Sequence, residues 1–349
     1  MGLFTKRITF TEILEDVETG RMQSVGLMQV IPLLSTFNDE KYNAPDKAKV
    51  STSGYGKLVF NNETDSVIIV PCNASYILKQ AAQDHAMAQA GVIPGKKNRT
   101  FDNAMCIQQT QGGQIKPGNY KLMILPFSLR EKALELRDIK EYNKLWQYID
   151  RFNKQFGINA GGELNHFFEQ FAKELDMFVA EFECVPGQVG AVILINGEIA
   201  GIERTPSVSY WKSVWTALIR ECYGSLAIEA AKNGKDKTGA FKTRVPLGQA
   251  VTLEELRAAL ADAGKKEKEI AAGKIREIFA DSLEMTGEEV TNGIKVQSYE
   301  NKDFIGQLIK DGGKIVYNSF IAKEYRMKNR TWKRETSFSV NDLINRIFN

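Results

Sequence analysis

The chain has 349 residues, of which 43% are hydrophobic and 26% are charged, and its formal net charge is +3. This composition is typical of a folded globular protein and excludes wholesale disorder, while the length allows two domains. The small net charge argues against a polyanion partner that covers the whole surface.

The four cysteines, Cys72, Cys106, Cys184 and Cys222, lie far apart in the sequence. This spacing argues against a zinc site and is not a typical disulfide framework, so we expect a reducing compartment. No apolar run approaches the ~20 residues that span a bilayer, and the N-terminus lacks a secretory signal. We therefore expect an intracellular protein with no membrane partner. The sequence indicates no metal and identifies no cofactor.

The first third of the chain is rich in strand patterns. Residues 24–34 are apolar and predict a buried strand that ends at Pro32. Residues 55–61 and 66–72 flank a polar Asn-Glu-Thr-Asp segment, which predicts a hairpin.

Helical spacing of apolar residues begins at residue 128. Residues 128–156 predict one long amphipathic helix, with Ser128 and Glu131 as its capping box. Residues 164–178 predict a second helix, and residues 177–184 a strand that places Glu181 and Glu183 on one face. Such paired carboxylates can bind metal or transfer protons, but they more often lie on the solvent face of a sheet.

The clearest sequence pattern spans residues 189–230. Two apolar segments flank Asn196-Gly197, the preferred dipeptide of a type I′ hairpin turn. Trp211 and Trp215 then begin an apolar face at helical spacing, so we expect this helix to pack on the hairpin and bury both indoles. Glu198 and Glu203 of the hairpin are expected on its solvent face.

The remaining chain predicts a smaller unit. Residues 233–246 are rich in glycine and lysine and resemble a linker between a domain of residues 1–232 and one of residues 247–349. Thr252 and Glu255 form a capping box for a helix, and later strands surround Gly312-Gly313. From residue 232 onward 22 basic and 17 acidic residues give +5, whereas the preceding 24 basic and 26 acidic residues give −2. We expect an α+β fold, mostly antiparallel sheet with packed helices, plus a smaller basic C-terminal α/β domain.

A glycine- and lysine-rich segment within residues 91–103 is the first candidate for a ligand site. Gly95 frees the backbone, Lys96 and Arg99 supply positive charge, and Asn98 and Asn103 supply amide donors. Together these groups suit an anion such as a phosphate, although the P-loop spacing is absent. A solvated loop explains the same residues equally well.

Other candidates have simple structural explanations beside the functional ones. A histidine side chain ordinarily changes charge near neutral pH, so His85 and His166 are candidate acid–base groups, but no nucleophile lies near either in the sequence. His166 is expected at the edge of the core.

A basic run near the C-terminus interleaves cations with aromatic residues, a pattern that suits nucleic acid or an interface arm. The residues that would carry this contact are Arg326, Lys328, Arg330, Trp332 and Lys333.

Residues 26–230 resemble a domain family named for its association with ADP-ribosylglycohydrolases and rhodanese-phosphatase proteins, first type. The resemblance rests on Ile-Pro-Leu at residues 31–33, on Gly95 to Arg99 followed by Asn103, and on residues 190–201 with the Trp215 helix. Lys97 replaces the family's Gln before Asn-Arg. Residues 127–131 replace its Cys-Val-Glu and Arg-Trp element.

The resemblance implies a link to ADP-ribose or related nucleotide metabolism through association alone. Two function classes therefore remain open. The first is a binding protein or enzyme for an ADP-ribose-like or other phosphorylated ligand. The second is a structural or assembly protein without catalysis, a phage-encoded component of a virion or of a defence complex, that works with a protein partner or as a homo-oligomer. The resemblance accordingly implies a protein of the bacterial or phage-infected host cytosol, or of a virion.

Overall fold

The computed structural model of the protein describes residues 6–36, 38–77, 84–110, 112, 120–233 and 252–331. The predicted linker therefore falls largely outside the described residues, as does the chain after residue 331. No helix within the described ranges is long and apolar enough to cross a membrane.

The strands are mostly short and antiparallel. In chain order they are β1 Arg7–Thr9, β2 Glu18–Thr19, β3 Gln23–Val25, β4 Met28–Leu34, β5 Tyr42–Asn43, β6 Lys49–Gly54, β7 Lys57–Asn61, β8 Val67–Val70, β9 Ala74–Ile77, β10 His85–Ala86, β11 Gly91–Ile93, β12 Asn98–Phe101, β13 Met105–Cys106, β14 Lys121–Ile124, β15 Gln188–Ile195, β16 Glu198–Arg204, β17 Ser282–Thr291, β18 Ile294–Glu300, β19 Phe304–Asp311 and β20 Lys314–Ala322.

The helices lie mainly between β14 and β17. They are α1 Phe10–Ile13, α2 Phe127–Glu135, α3 Trp146–Gln155, α4 Asn165–Gln170, α5 Ala172–Glu181, α6 Val208–Thr216, α7 Gly224–Asn233, α8 Leu253–Arg276 and α9 Glu324–Thr331, with a 3-10 turn at Pro45–Lys47 and a π-helical segment at Ala217–Tyr223 that joins α6 to α7.

One ten-stranded sheet organises the molecule, in the order β1-β17-β18-β19-β20-β16-β15-β4-β2, with β3 paired to β4. Three small sheets lie outside it, in the orders β13-β10-β9-β14, β11-β8-β5 and β12-β7-β6. Large antiparallel sheet and several packed helices together confirm the predicted α+β class.

Strands from both predicted domains belong to the large sheet. β16 pairs with β20, so that Gly201 lies opposite Ile321, and β1 pairs with β17. One buried apolar cluster likewise contains residues from Ile8 to Met327. The division into separable units of residues 1–232 and 247–349 stays a prediction, and β16 would lose its neighbour β20 in the fragment of residues 1–232.

The hairpin of β15 and β16 and the helix that follows it confirm the hairpin and helix predicted for residues 189–230. Asn196 and Gly197 have φ values of 52° and 80°, as a type I′ turn requires. Ser207 caps α6 by accepting a hydrogen bond from the Tyr210 amide, and Trp211 is fully buried.

Several local predictions are wrong because tertiary contacts override the local pattern. β4 runs past Pro32, whose carbonyl accepts a hydrogen bond from the Gly20 amide at 2.7 Å. β7 and β8 belong to different sheets. The Asn62 amide between them donates to the carbonyls of Ser66, Ile93 and Pro94 and so anchors the connection to the end of β11.

The predicted helix over residues 128–156 is two helices, α2 and α3. Between them the Asn103 amide donates to the Arg137 carbonyl at 2.8 Å, and the Lys144 amine donates to the Asn103 carbonyl at 2.8 Å. These contacts hold the connection in a loop. The predicted capping box is absent because Ser128 donates instead to Glu229, and Glu131 accepts from the Glu324 amide.

Two further element predictions need correction. Residues 177–181 continue α5, so Glu181 and Glu183 do not share the face of a strand. The capping box of Thr252 and Glu255 is confirmed, and it begins a single helix of 24 residues.

A polar row crosses the interior face of the large sheet. Glu203, Ser319, Gln307 and Ser298 lie side by side on neighbouring strands and are buried. The Gln307 amide donates to Ser298 at 2.9 Å, and its carbonyl oxygen accepts from the amide of Ala90 at 2.7 Å. The row therefore fixes strand register and attaches the strand-rich segment before β11 to the sheet.

Arg130 of α2 reaches the end of this row. Its guanidinium donates to Glu203 at 2.7 Å and to the Cys222 sulfur at 3.3 Å, and it also hydrogen-bonds Ser319. The Tyr223 hydroxyl donates to the same Glu203 oxygen at 2.7 Å. Arg130 and Glu203 are respectively 1% and 3% exposed in their side chains, so each charge depends on the other for solvation.

We predict that Arg130→Met lowers the free energy of unfolding by about 3–5 kcal/mol, because it leaves the Glu203 carboxylate buried and unpaired. The double variant Arg130→Met/Glu203→Leu should lose less than this single variant, since both charges are then removed. Urea denaturation measures both effects. Lys132→Met on the same helix is the matched control, because its ion pair with Glu135 is partly exposed and should contribute at most about 1 kcal/mol. Equal losses in the Arg130 and Lys132 variants would contradict the prediction.

Candidate functional site

The predicted anion segment forms the connection between β11 and β12 and the first residues of β12. A Cβ atom at Gly95 would overlap the backbone of Asp65, which explains why glycine is needed there. Lys96 has a φ of 54° and donates from Nζ to the Glu63 carbonyl at 2.7 Å. The Lys96 amine therefore closes this turn onto the neighbouring connection.

The Arg99 side chain contacts β17. Its guanidinium donates to the Val92 carbonyl at 2.6 Å and to the Thr291 hydroxyl at 2.9 Å, and it forms an ion pair with Glu289. The group also lies 4.6 Å above the centre of the Phe101 ring. Burial lowers the pKa of Arg99. Arg99 thus joins the small sheet of β12 to the tip of the β17–β18 hairpin.

The two asparagines of the segment lie in different surroundings. Asn98 is exposed on β12, opposite Asn61, and Asn103 donates to the Arg137 carbonyl. The hydrogen bonds of Lys96, Arg99 and Asn103 lead to three separate parts of the fold. A shared ligand site of Gly95, Lys96, Asn98, Arg99 and Asn103 stays a prediction.

A basic cleft of about 490 Å³ lies on the other face of the β17–β18 hairpin from Arg99. Four cations line it, together with Gln297 and Tyr299 and with glycines of the two turns at the ends of β17 and β19. The lining residues are Lys6, Arg7, Gly293, Lys295, Gln297, Tyr299, Lys310, Gly312 and Gly313.

Lys295 and Lys310 lie directly opposite each other on β18 and β19. Like charges in this position destabilise a sheet. Lys295 approaches Glu288 at 3.7 Å, which Lys6 also approaches at 4.0 Å, whereas Lys310 forms no ion pair with the described residues. The described carboxylates therefore offset the cross-strand repulsion only in part.

The rest of the cleft is organised by hydrogen bonds and turns. Arg7 pairs with Glu284 at 2.5 Å, and the Tyr299 hydroxyl donates to Gln297 at 3.2 Å. Asn292-Gly293 and Gly312-Gly313 all have positive φ values, so both hairpins turn tightly beside the cleft. In the part of the chain that the structure describes, the ion pairs of the four cations involve two carboxylates, those of Glu284 and Glu288, so cations are in excess at the cleft.

Sequence reasoning missed this cleft. Its cations are separated by up to 304 positions, from Lys6 to Lys310, and only the strand pairing brings them together. A local signal existed, because Lys295 and Lys310 each lie within two residues of a glycine turn. The Asn292-Gly293 dipeptide between β17 and β18 is itself a hairpin signature.

The histidines and the remaining carboxylates lie elsewhere. His85 is buried on β10 and accepts a hydrogen bond from the Gly56 amide at 3.2 Å. His166 is exposed, contrary to its expected place at the core edge. Glu203 is buried, so its expected place on a solvent face is also wrong. Within the described part of the chain, no group of three or more His, Cys, Asp or Glu side chains is arranged to hold a metal ion.

The basic run near the C-terminus is divided by the fold. Arg326 is buried, pairs with Asp303 at 3.1 Å and lies 4.6 Å from the centre of the Phe304 ring. Lys328 pairs with Glu324 one turn earlier on α9. Arg330 is on α9 without a described side chain, and Trp332 and Lys333 lie outside the described residues. The nucleic-acid or interface role of this run stays a prediction.

The three buried cysteines are poorly suited to thiolate chemistry. Burial raises the pKa of Cys72 and of Cys222 to about 12, and that of Cys106 to about 11. Cys184 is only partly buried, and its pKa is raised less far. All four thiols are free.

We predict that iodoacetamide at about pH 8 alkylates Cys184 first in the native protein and all four cysteines after denaturation. A thiol with a pKa of about 12 is ionised to only about one part in ten thousand at that pH. Burial raises the pKa of Cys72 and Cys222 in the folded state above the value of about 9 in the unfolded chain. The two neutral thiols therefore stabilise the fold below about pH 9, and this stabilisation is lost as the pH rises towards 12. Peptide mass spectrometry measures the order, and native labelling of Cys222 ahead of Cys184 would contradict it.

Comparison with known proteins agrees with the family resemblance and extends it. The profile of the ARG and Rhodanese-Phosphatase-superfamily-associated Protein domain, ARPP-1, matches residues 16–316. No curated protein and no solved structure matches the chain. The matched range includes strands before and after the predicted linker, and it reaches well beyond residues 26–230. The chain belongs to the ARPP-1 domain family.

Proposed function

We propose that the protein binds an ADP-ribose-like or other phosphorylated small molecule in the basic cleft. The observation that carries the proposal is the cross-strand pair of Lys295 and Lys310, whose repulsion a bound phosphate would relieve. A phosphate oxygen between the two ammonium groups can accept charge-assisted hydrogen bonds from both.

The size and lining of the cleft support the same ligand class. A volume of about 490 Å³ lies within the range of small-molecule sites. Lys6 and Arg7 approach from the β1 side, so cations lie on two sides of the cleft and suit a ligand with two phosphate groups. Gln297 and Tyr299 are buried and already hydrogen-bonded, to Glu288 and to each other, so the contacts to a ligand would come from the cations.

The proposal concerns binding. Among the lining residues the titratable groups are the four cations and Tyr299, whose pKa burial raises. None of these provides a carboxylate base or an imidazole, the groups most often used for proton transfer near neutral pH.

We predict that ADP-ribose raises the melting temperature of the wild-type protein by several degrees. A ligand at about 100 times its Kd adds about 2.7 kcal/mol to the free energy of unfolding. Lys310→Ala should abolish most of this response. The same substitution should slightly increase the stability of the unliganded protein, by a few tenths of a kcal/mol, because it removes the like-charge pair. Differential scanning fluorimetry with ADP-ribose, NAD, ADP and inorganic phosphate measures both effects.

Two control variants separate the alternatives. Lys154→Ala removes an exposed lysine of α3 that pairs with Asp150 and does not line the cleft, so it should leave the ligand response unchanged. Arg99→Ala distinguishes this cleft from the segment that the sequence predicts. Loss of the response in Arg99→Ala but not in Lys310→Ala would move the site to residues 95–103. No response to any phosphorylated ligand, together with a stable oligomer in light scattering, would favour the assembly protein instead.

A further inference from the structure

The first half of α8 lies in solvent. Residues 253–262, here called the overhang, include no buried residue, and burial along the helix begins at Ala263. The capping box of Thr252 and Glu255 nevertheless specifies where the overhang starts. A helical segment of this length is only marginally stable by itself in water, so it gains from packing against another element.

Leucines on one face of the overhang continue the face by which α8 packs on the protein. Leu253, Leu256 and Leu260 recur at intervals of three and four residues. Ala263 and Glu267 extend the same row and are buried, whereas Leu253 is 73% and Leu260 is 45% exposed. An apolar face therefore continues past the point where the described fold covers it. Exposed apolar rows of this kind mark interaction surfaces.

Two charged side chains flank the leucine row on the same side of the helix. Glu254 and Lys265 are eleven residues apart, which is about three helical turns, so they lie in line with each other. Neither forms an ion pair with the described residues. One lies at the start of the overhang and the other just beyond its end. This pattern is complementary to a second copy of the helix that runs in the opposite direction.

An antiparallel pair of overhangs satisfies both the leucines and these charges. With Leu256 of one copy opposite Leu260 of the other, Leu253 lies opposite Ala263. Glu254 of each copy then lies within about one helical turn of Lys265 of the other. A parallel pair would instead place Glu254 beside Glu254, and the two protein bodies would meet at the same end.

Gly264 is explained by the same arrangement. A Cβ atom there would meet nothing within 4 Å, so the described fold does not require a glycine at this position. Glycine in the interior of a helix is less stable than alanine. In the antiparallel pair, however, Ala263 and Gly264 form a shallow notch that leaves room for Leu253 of the second copy.

We propose that the overhang binds the overhang of a second copy of this chain, which gives a two-fold symmetric dimer. The three leucines of each copy form the shared apolar layer, and two ion pairs of Glu254 with Lys265 flank it. A helix of this length covers less than the roughly 800 Å² per partner of a standard interface. The dimer should therefore dissociate on dilution. The basic cleft shares no residue with the overhang, so the dimer does not depend on ligand binding.

Sedimentation equilibrium of the full-length protein over roughly 1–100 µM tests the proposal, since dimers of this kind dissociate in the micromolar range. The average mass should rise from that of the monomer towards twice that value. Leu260→Asp should keep the protein monomeric over the same range. Ile270→Asp is the matched control, because Ile270 lies on the same helix with 44% exposure but outside the paired segment. It should associate like the wild type.

A charge exchange tests the register. Glu254→Lys and Lys265→Glu should each weaken association about tenfold, because each places like charges side by side. The double variant Glu254→Lys/Lys265→Glu restores both pairs and should return to within about threefold of the wild type. Far-UV circular dichroism reports whether α8 stays helical in each variant.

A protein that stays monomeric at the highest concentration would overturn the proposal. If Leu260→Asp also destabilised that monomer, another segment of the same chain would cover the leucine row. A dimer that Leu260→Asp leaves intact, or that Ile270→Asp weakens equally, would place the interface elsewhere. Loss of association in both charge variants without recovery in the double variant would contradict the antiparallel register.

Discussion

The buried ion pair of Arg130 and Glu203 is the constraint on which the rest of the structure depends. Glu203 belongs to the central hairpin of the large sheet, and Arg130 belongs to the first helix that covers it. A charge buried to this extent is tolerated only with its partner in place, so helix and sheet cannot separate or slide independently. Ser319, which Arg130 also contacts, brings the late strand β20 into the same cluster.

This arrangement determines where ligand chemistry can take place. The interior face of the large sheet is filled by the polar row and by α2, which covers it. Burial raises the pKa of Cys72 and Cys222 near Arg130, so both thiols stay neutral. The opposite face of β18 and β19 near their turns is open, and its cations are incompletely paired. Regular packing also stops at the loop between α2 and α3, where hydrogen bonds from Asn103 and Lys144 prevent the two helices from merging.

The sequence predicted features that depend on neighbouring residues and missed those that depend on distant ones. Asn196-Gly197 and the Thr252 cap were predicted correctly because a turn and a helix start are determined within four residues. Arg99 was singled out as a cation, but its partner Glu289 lies 190 positions away and no local pattern reveals it. Lys295 and Lys310 face each other only because of the register of β18 and β19. For the same reason the basic cleft could not be predicted, although its glycine turns were visible.

The pairing of β1 with β17 has a consequence for how the chain folds. Arg7 and Glu284 are 277 positions apart, and β16 likewise finds its partner β20 only after most of the chain exists. Contacts of such long range slow folding because the entropy of closing the loop is lost before the contact forms. During synthesis the apolar hairpin of β15 and β16 would therefore leave the ribosome with one edge unpaired. Its exposure to other chains ends only when the last strands have been made.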